Sequence, residues 1–195
     1  MKKLLITCTL LQFCIQSFSQ EWTSEQLQKA NTFFDEYRLS DTEKEVIRYI
    51  NLCRLYPAEF ASIELKNYEG IPTIEDKNFI TYKNSLVKEL STKLACNALM
   101  PDDLLYEDAK CYGNEISKNK RKPHERINCL TRNYGECIYF GSGEAKHIAL
   151  QWLIDSGVES LAHRRMCLLP AYRKAGIKVN THFEYAYCSV LELGK

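Results

Sequence analysis

The chain has 195 residues, of which 45% are apolar and 26% charged, with a formal net charge of +1. That length supports one domain with a core and a short tail, and the composition is neither disordered nor fibrous. The only dense basic run is "KNKRKPHER" (118–126), which reads as a solvated loop, so nothing suggests a nucleic-acid partner.

In chain order, "MKK" precedes the apolar stretch "LLITCTLLQFCI" and the small-residue segment "QSFSQ". This is the pattern of a signal peptide over 1–19, with cleavage expected after Ser19. A lipoprotein signal would use Cys14, but bulky Phe13 stands where a small residue is wanted. The stretch is too short to span a bilayer comfortably, and no other segment is apolar and long enough, so no transmembrane segment is expected after cleavage. The expected location is secreted or periplasmic. Residues 20–39 are polar and weakly helical and read as a lead-in. The domain proper is expected over 40–195.

Ser40 with Glu43 forms a capping box, and Val46, Ile47, Ile50 and Cys53 continue it as a helical stripe that Pro57 ends. "YKNSLVKEL" has helical potential. Pro101 and two aspartates open a further helix with Leu105, Ala109, Tyr112 and Ile116 on one face. "GECIYFG" reads as a strand. "GSGEAKHIALQWLIDSG" reads as a helix capped near Ser142 and stopped by Gly157. "KAGIKVNTHFEYAYCSVLEL" reads as two strands with a turn near Thr181 to Phe183. Helices before and between strands, closing on a hairpin, indicate an α+β chain with helices on an antiparallel sheet.

Beyond the signal peptide stand Cys53, Cys96, Cys111, Cys129, Cys137, Cys167 and Cys188, an odd number that leaves at least one thiol outside intramolecular pairs. Cys53 reads as a buried small hydrophobe, and Cys129–Cys137 is the favoured local disulfide. The four histidines are His124, His147, His163 and His182. His147 lies within a helix and His182 at a hairpin tip, where surface or structural roles are the default. His124 and His163 occupy polar loops near Glu136 and Asp155, and imidazoles with carboxylates can bind a divalent metal or exchange protons near neutral pH. The chain lacks H-E-x-x-H, a phosphate-loop ending and G-x-S-x-G, and no third group orients Ser160 or Cys137 as a nucleophile.

The order of blocks resembles the CAP superfamily of cysteine-rich secretory, antigen 5 and pathogenesis-related proteins (the SCP domain), in a bacterial-type secreted form. "NLCRLYPAEF" is similar to its Asn-x-Ala-Arg-x-x-Pro signature, with Cys53 in the Ala position. "LLYEDAKCYGNEI" resembles its second helix, "YGECIYFGSGEAKHIALQWLIDSG" its Gly-Glu-Asn-Ile segment and following helix, and "SLAHRRMCLLPAYRKAGI" its His-Arg block. The resemblance implies a three-layer α-β-α sandwich with a central antiparallel sheet. It implies a cleft tetrad of His124, Glu136, Asp155 and His163, in which Asp155 replaces a common Glu and Cys137 replaces an Asn. His124 and His163 would take Zn²⁺ or another divalent cation, and the cleft a ligand or partner, such as a lipid or a protein. Arg164 is expected to tie the cleft loop to a carboxylate or carbonyls. The alternative expectation is a metal-dependent hydrolase acting on a peptide or cell-wall substrate.

Overall fold

The computed structural model describes residues 21–71, 76–118, 123–130, 132 and 135–195. The expected signal peptide, its cleavage point and part of the basic run lie outside the described residues. The helices are α1 (Ser24–Ala30), α2 (Asp41–Leu55), α3 (Pro57–Phe60), α4 (Phe79–Leu90), α5 (Asp103–Ile116), α6 (Ala145–Ile154) and α7 (Ala162–Cys167), and α3 runs on as a π-helical turn, Ala61–Leu65. The strands are β1 (Met100–Pro101), β2 (Gly135–Gly141), β3 (Lys174–His182) and β4 (Ala186–Gly194), in the spatial order β1-β3-β4-β2.

The protein is therefore α+β with a four-stranded sheet, but the sheet is mixed. β2, β4 and β3 are antiparallel as expected, whereas β1 runs parallel to β3. Two residues carry no readable period, and Pro101 has no N–H to give a ladder, so β1 left no mark in the pattern. Pairing Gly135 with Leu193 and His182 with Ala186 puts both ends of β4 in register with its neighbours.

Side chains alternate across this sheet and feed two apolar clusters. Cys137, Ala175, Ile177, Leu191 and Leu193 join the large cluster built with α2 and α6. Ile138, Cys188 and Val190 join a smaller one with Ala109, Tyr112 and Ile116 of α5. Helix α5 lies against Gly176 so closely that a Cβ there would stand 2.1 Å from the Leu105 carbonyl carbon. Only glycine admits that approach.

Helix α2 begins as the sequence indicates. The Ser40 Oγ accepts from Glu43 N at 3.3 Å, and the Glu43 carboxylate accepts from Ser40 N at 2.7 Å. Its far end holds the core together through polar side chains. Asn51 Oδ1 accepts from Leu99 N at 2.7 Å, while its amide donates to Ala30 O at 3.1 Å. The guanidinium of Arg54 is buried and donates to the carbonyls of Asn97, Cys167, Leu169 and Tyr172. The lead-in segment also belongs to this core: Ala30, Phe33 and Leu39 are buried, and Trp22 Nε1 donates to Glu64 at 2.6 Å. Of its apolar residues only Leu27 and Ala30 lie within α1, too few to mark a stripe on so short a helix.

Two local expectations are corrected. Helix α6 starts after Glu144, not at Ser142, whose Oγ accepts from Glu144 N at 3.1 Å, and it ends on Asp155 rather than at Gly157. The disulfide joins Cys129 to Cys111, with 5.8 Å between Cα atoms, and not to Cys137. Strand alternation is the reason. Ile138 faces the α5 cluster that includes Cys129, so its neighbour Cys137 faces the opposite cluster. Cys53 is buried as expected.

Candidate functional site

The first wall of the site is organised by one residue. Asp155 ends α6 in the left-handed conformation, φ 56° and ψ 42°. Aspartate tolerates that conformation better than most residues, and a left-handed residue is a common helix stop. Its carboxylate then reaches the start of α7. Oδ2 accepts from His163 N at 2.9 Å and Arg164 N at 3.2 Å. These amides lie in the first turn, where helical N–H groups lack partners, and the residue preceding α7, Leu161, supplies no side-chain cap. Asp155 is thus the remote cap of α7. Its other oxygen accepts from His163 Nδ1 at 2.8 Å. The carboxylate is buried, and the imidazole is mostly so.

Arg164 locks the same corner as expected. It donates to Leu153 O at 2.8 Å, Ile154 O at 2.6 Å and Tyr82 O at 3.0 Å, and to Ser85 Oγ at 3.0 Å. A fork of fixed donors suits such a multi-carbonyl tie, and it leaves the side chain buried rather than facing a ligand. Burial holds its pKa below the ordinary value, although Glu89 and Asp155 oppose that shift.

The second wall is assembled from distant segments. His124 has φ 71°, a left-handed conformation that histidine adopts more readily than most residues. Its loop is fastened to α5 by the Cys111–Cys129 disulfide and by Glu115, which accepts from Ile127 N at 2.7 Å. His124 Nδ1 meets Glu136 Oε1 at 2.6 Å. The imidazole is 54% exposed, against 18% for that of His163.

Two residues here were missed from sequence. Glu192 lies opposite Glu136 across the β2–β4 ladder, and Arg126 donates to both carboxyl groups. The Arg126 guanidinium stacks 4.2 Å from the centre of the Tyr112 ring. Burial, reinforced by the neighbouring Glu136, pushes the Glu192 carboxyl up to about 9. Burial also acts to raise Glu136. Its hydrogen bonds to His124 and Glu192 and the charge of Arg126 prevail, holding it below the ordinary carboxylate range. The pair therefore holds one proton at neutral pH, on the deeper Glu192. One guanidinium then faces one net negative charge, the balanced state that burial favours. Glu192 was detectable in principle, as an acid on the strand face that also carries Val190. Arg126, in a loop, left no signal.

The two walls adjoin where α7 meets β2, with the Cys137 Sγ 4.0 Å from the His163 carbonyl oxygen. Each wall thus pairs one expected histidine with one expected acid. Among the described residues, no group of three or more His, Cys, Asp or Glu side chains is placed to hold a metal ion. His147 and His182 are placed elsewhere. His147 lies on α6 beside Glu144 at 3.1 Å, and His182 is buried at the hairpin, its Nδ1 accepting from Glu184 N and Tyr185 N. Among the described residues, no helix is long and apolar enough to cross a membrane.

No protein-family model matches the chain, and no curated protein matches it. Among solved structures, the chain is similar to an outer surface protein from Borrelia burgdorferi, with 22% identity, coverage of 63% of this chain and 96% of that one, and a TM-score of 0.42.

Proposed function

We propose that the protein is an exported CAP/SCP-domain protein whose His124 and His163 bind a divalent cation such as Zn²⁺, beside a cleft that takes a ligand or partner. The observation that carries this reading is the matched use of the two rings. Each histidine has its Nδ1 against a carboxylate, His124 on Glu136 and His163 on Asp155. A carboxylate on Nδ1 fixes the tautomer with its proton there and leaves the Nε2 lone pair as the donor. Carboxylate-backed imidazoles of this kind are good ligands for zinc. Two protein donors form an open site, with remaining positions for water or a ligand group. The cation would supply Lewis acidity and a fixed positive charge; the chain's own residues orient the two imidazoles.

The α-β-α arrangement of this class is supported by the two apolar clusters on alternate strand residues, one with α5 and the other with α2 and α6. Export is supported by the Cys111–Cys129 disulfide, since such bonds persist in oxidising compartments. Asn51, Arg54 and Pro57 of the family-like signature are all buried, so that signature is used for the core.

Calorimetric titration of residues 20–195 with Zn²⁺, beside His124→Ala/His163→Ala, tests the site. One-to-one binding lost in the double variant is the expected result. Absence of binding to the wild-type protein, or binding kept in the folded variant, would overturn it.

A further inference from the structure

Among the described residues, five cysteines stand outside the disulfide: Cys53, Cys96, Cys137, Cys167 and Cys188. They are not equivalent. Cys188 belongs to the α5 cluster, on the other side of the sheet, where its Sγ lies 3.9 Å from Gly113 O. Cys96 is partly exposed. Cys137 and Cys167 are both fully buried within the large cluster. The His163 carbonyl that Cys137 Sγ approaches at 4.0 Å lies one helical turn before Cys167, the last residue of α7. In an α-helix the carbonyl of a residue points at the amide four positions on, so Cys137 stands beside the backbone of Cys167. After burial, the Cys167 thiol is the neighbour that most raises the Cys137 thiol.

We propose that Cys137 and Cys167 form a second disulfide of the exported protein, joining β2 to the C-terminus of α7. Two buried cysteines that β2 and α7 hold side by side are the starting condition for such a bond. The Cys111–Cys129 pair already gives the chain one such bond of its own. The step is thiol–disulfide exchange with an oxidising dithiol–disulfide donor of the export compartment. The two protein thiols and the donor's disulfide become one protein disulfide and two donor thiols, and both hydrogens pass to the donor's sulfurs. Burial raises the Cys137 thiol well above its ordinary value, so the folded core presents almost no thiolate. The bond therefore forms while the chain is still folding. Its consequence is local: β2 carries Glu136 and α7 carries His163, so the bond clamps the two walls of the site together. The inference goes beyond cation binding and does not depend on it.

The test is a disulfide map of the wild-type chain exported through its own N-terminal segment into an expression host's periplasm. Thiols are alkylated in denaturant before lysis, and the digest is analysed by mass spectrometry without reduction. A cross-linked peptide pair containing Cys137 and Cys167, with only Cys53, Cys96 and Cys188 alkylated, is the expected result. Alkylation of all five, or a bond from either residue to Cys53, would overturn the proposal.

Discussion

The two histidine–carboxylate pairs have the same atoms in contact and opposite surroundings. His163–Asp155 spans eight residues of chain, is nearly dry, and its carboxylate also caps a helix. His124–Glu136 draws on a loop and a strand, has an exposed imidazole, and shares its carboxylate with Arg126. The difference is one of duty. Asp155 cannot be removed without unmaking backbone structure, whereas Glu136 can, because Glu192 remains to pair Arg126. The first pair is a structural joint that also orients a ring, and the second is the adjustable side of the site.

Asp155→Ala should therefore have the largest effect. It leaves the N–H groups of His163 and Arg164 without a partner and puts alanine at φ 56°. Unpaired buried groups cost about 1–3 kcal/mol each, so a loss of about 4 kcal/mol in urea unfolding is expected. Glu136→Ala should cost less, about 2 kcal/mol, because the exposed His124 can turn to water and Glu192 remains to pair Arg126. Equal losses would erase the distinction between the two walls.

Removing the disulfide attacks the other wall. Cys111 and Cys129 are 18 residues apart, and closing a loop of that size stabilises by about 3 kcal/mol in the chain-entropy treatment. Cys111→Ser/Cys129→Ser should lose about that much and free the loop bearing His124. Hydrogen exchange should then speed up across 123–130 and stay slow at His163 and Arg164. Faster exchange in both places would mean that the walls are one cooperative unit.

The same contrast explains what the sequence made legible. Asp155 and His163 lie in one ordered block, so their meeting depends on a single turn between two helices. The partners of Glu136 come from positions 126 and 192, and only the register of β2 on β4 brings Glu192 opposite it. Register depends on pairing between distant strands and is not written in either strand alone. The misassigned disulfide has the same origin, because eight residues of separation say nothing about which face of β2 Cys137 takes. The remote cap on α7 was hidden for another reason: a cap is sought just before its helix, and Leu161 stands there. Helix α2 and the β3–β4 hairpin were legible because their signals, a capping box and a period of two, are local.

The effect most specific to the second wall is its dependence on pH. Glu192 has an ordinary value of 4.5 and a folded value of about 9. Between those values the native protein holds a proton that the unfolded chain has released. Stability therefore falls as pH rises through that window and levels off outside it. Glu136, shifted downward, acts the other way and in a different range. Its stabilisation is complete above the ordinary carboxylate value and is lost as pH falls through its lower folded value. Across pH 6 to 8 the slope from the pair is thus that of Glu192 alone. Glu192→Gln keeps the shape and a hydrogen-bond donor towards Glu136 but releases no proton. Its stability relative to wild type should rise with pH, by at most about 1.4 kcal/mol per unit, the limit for one proton. Urea unfolding of both proteins at pH 6, 7 and 8 measures the difference, and the subtraction cancels groups that both share. Parallel lines would place the shared proton elsewhere and leave Arg126 facing two ionised carboxylates, a state whose burial the structure would then have to balance by other means.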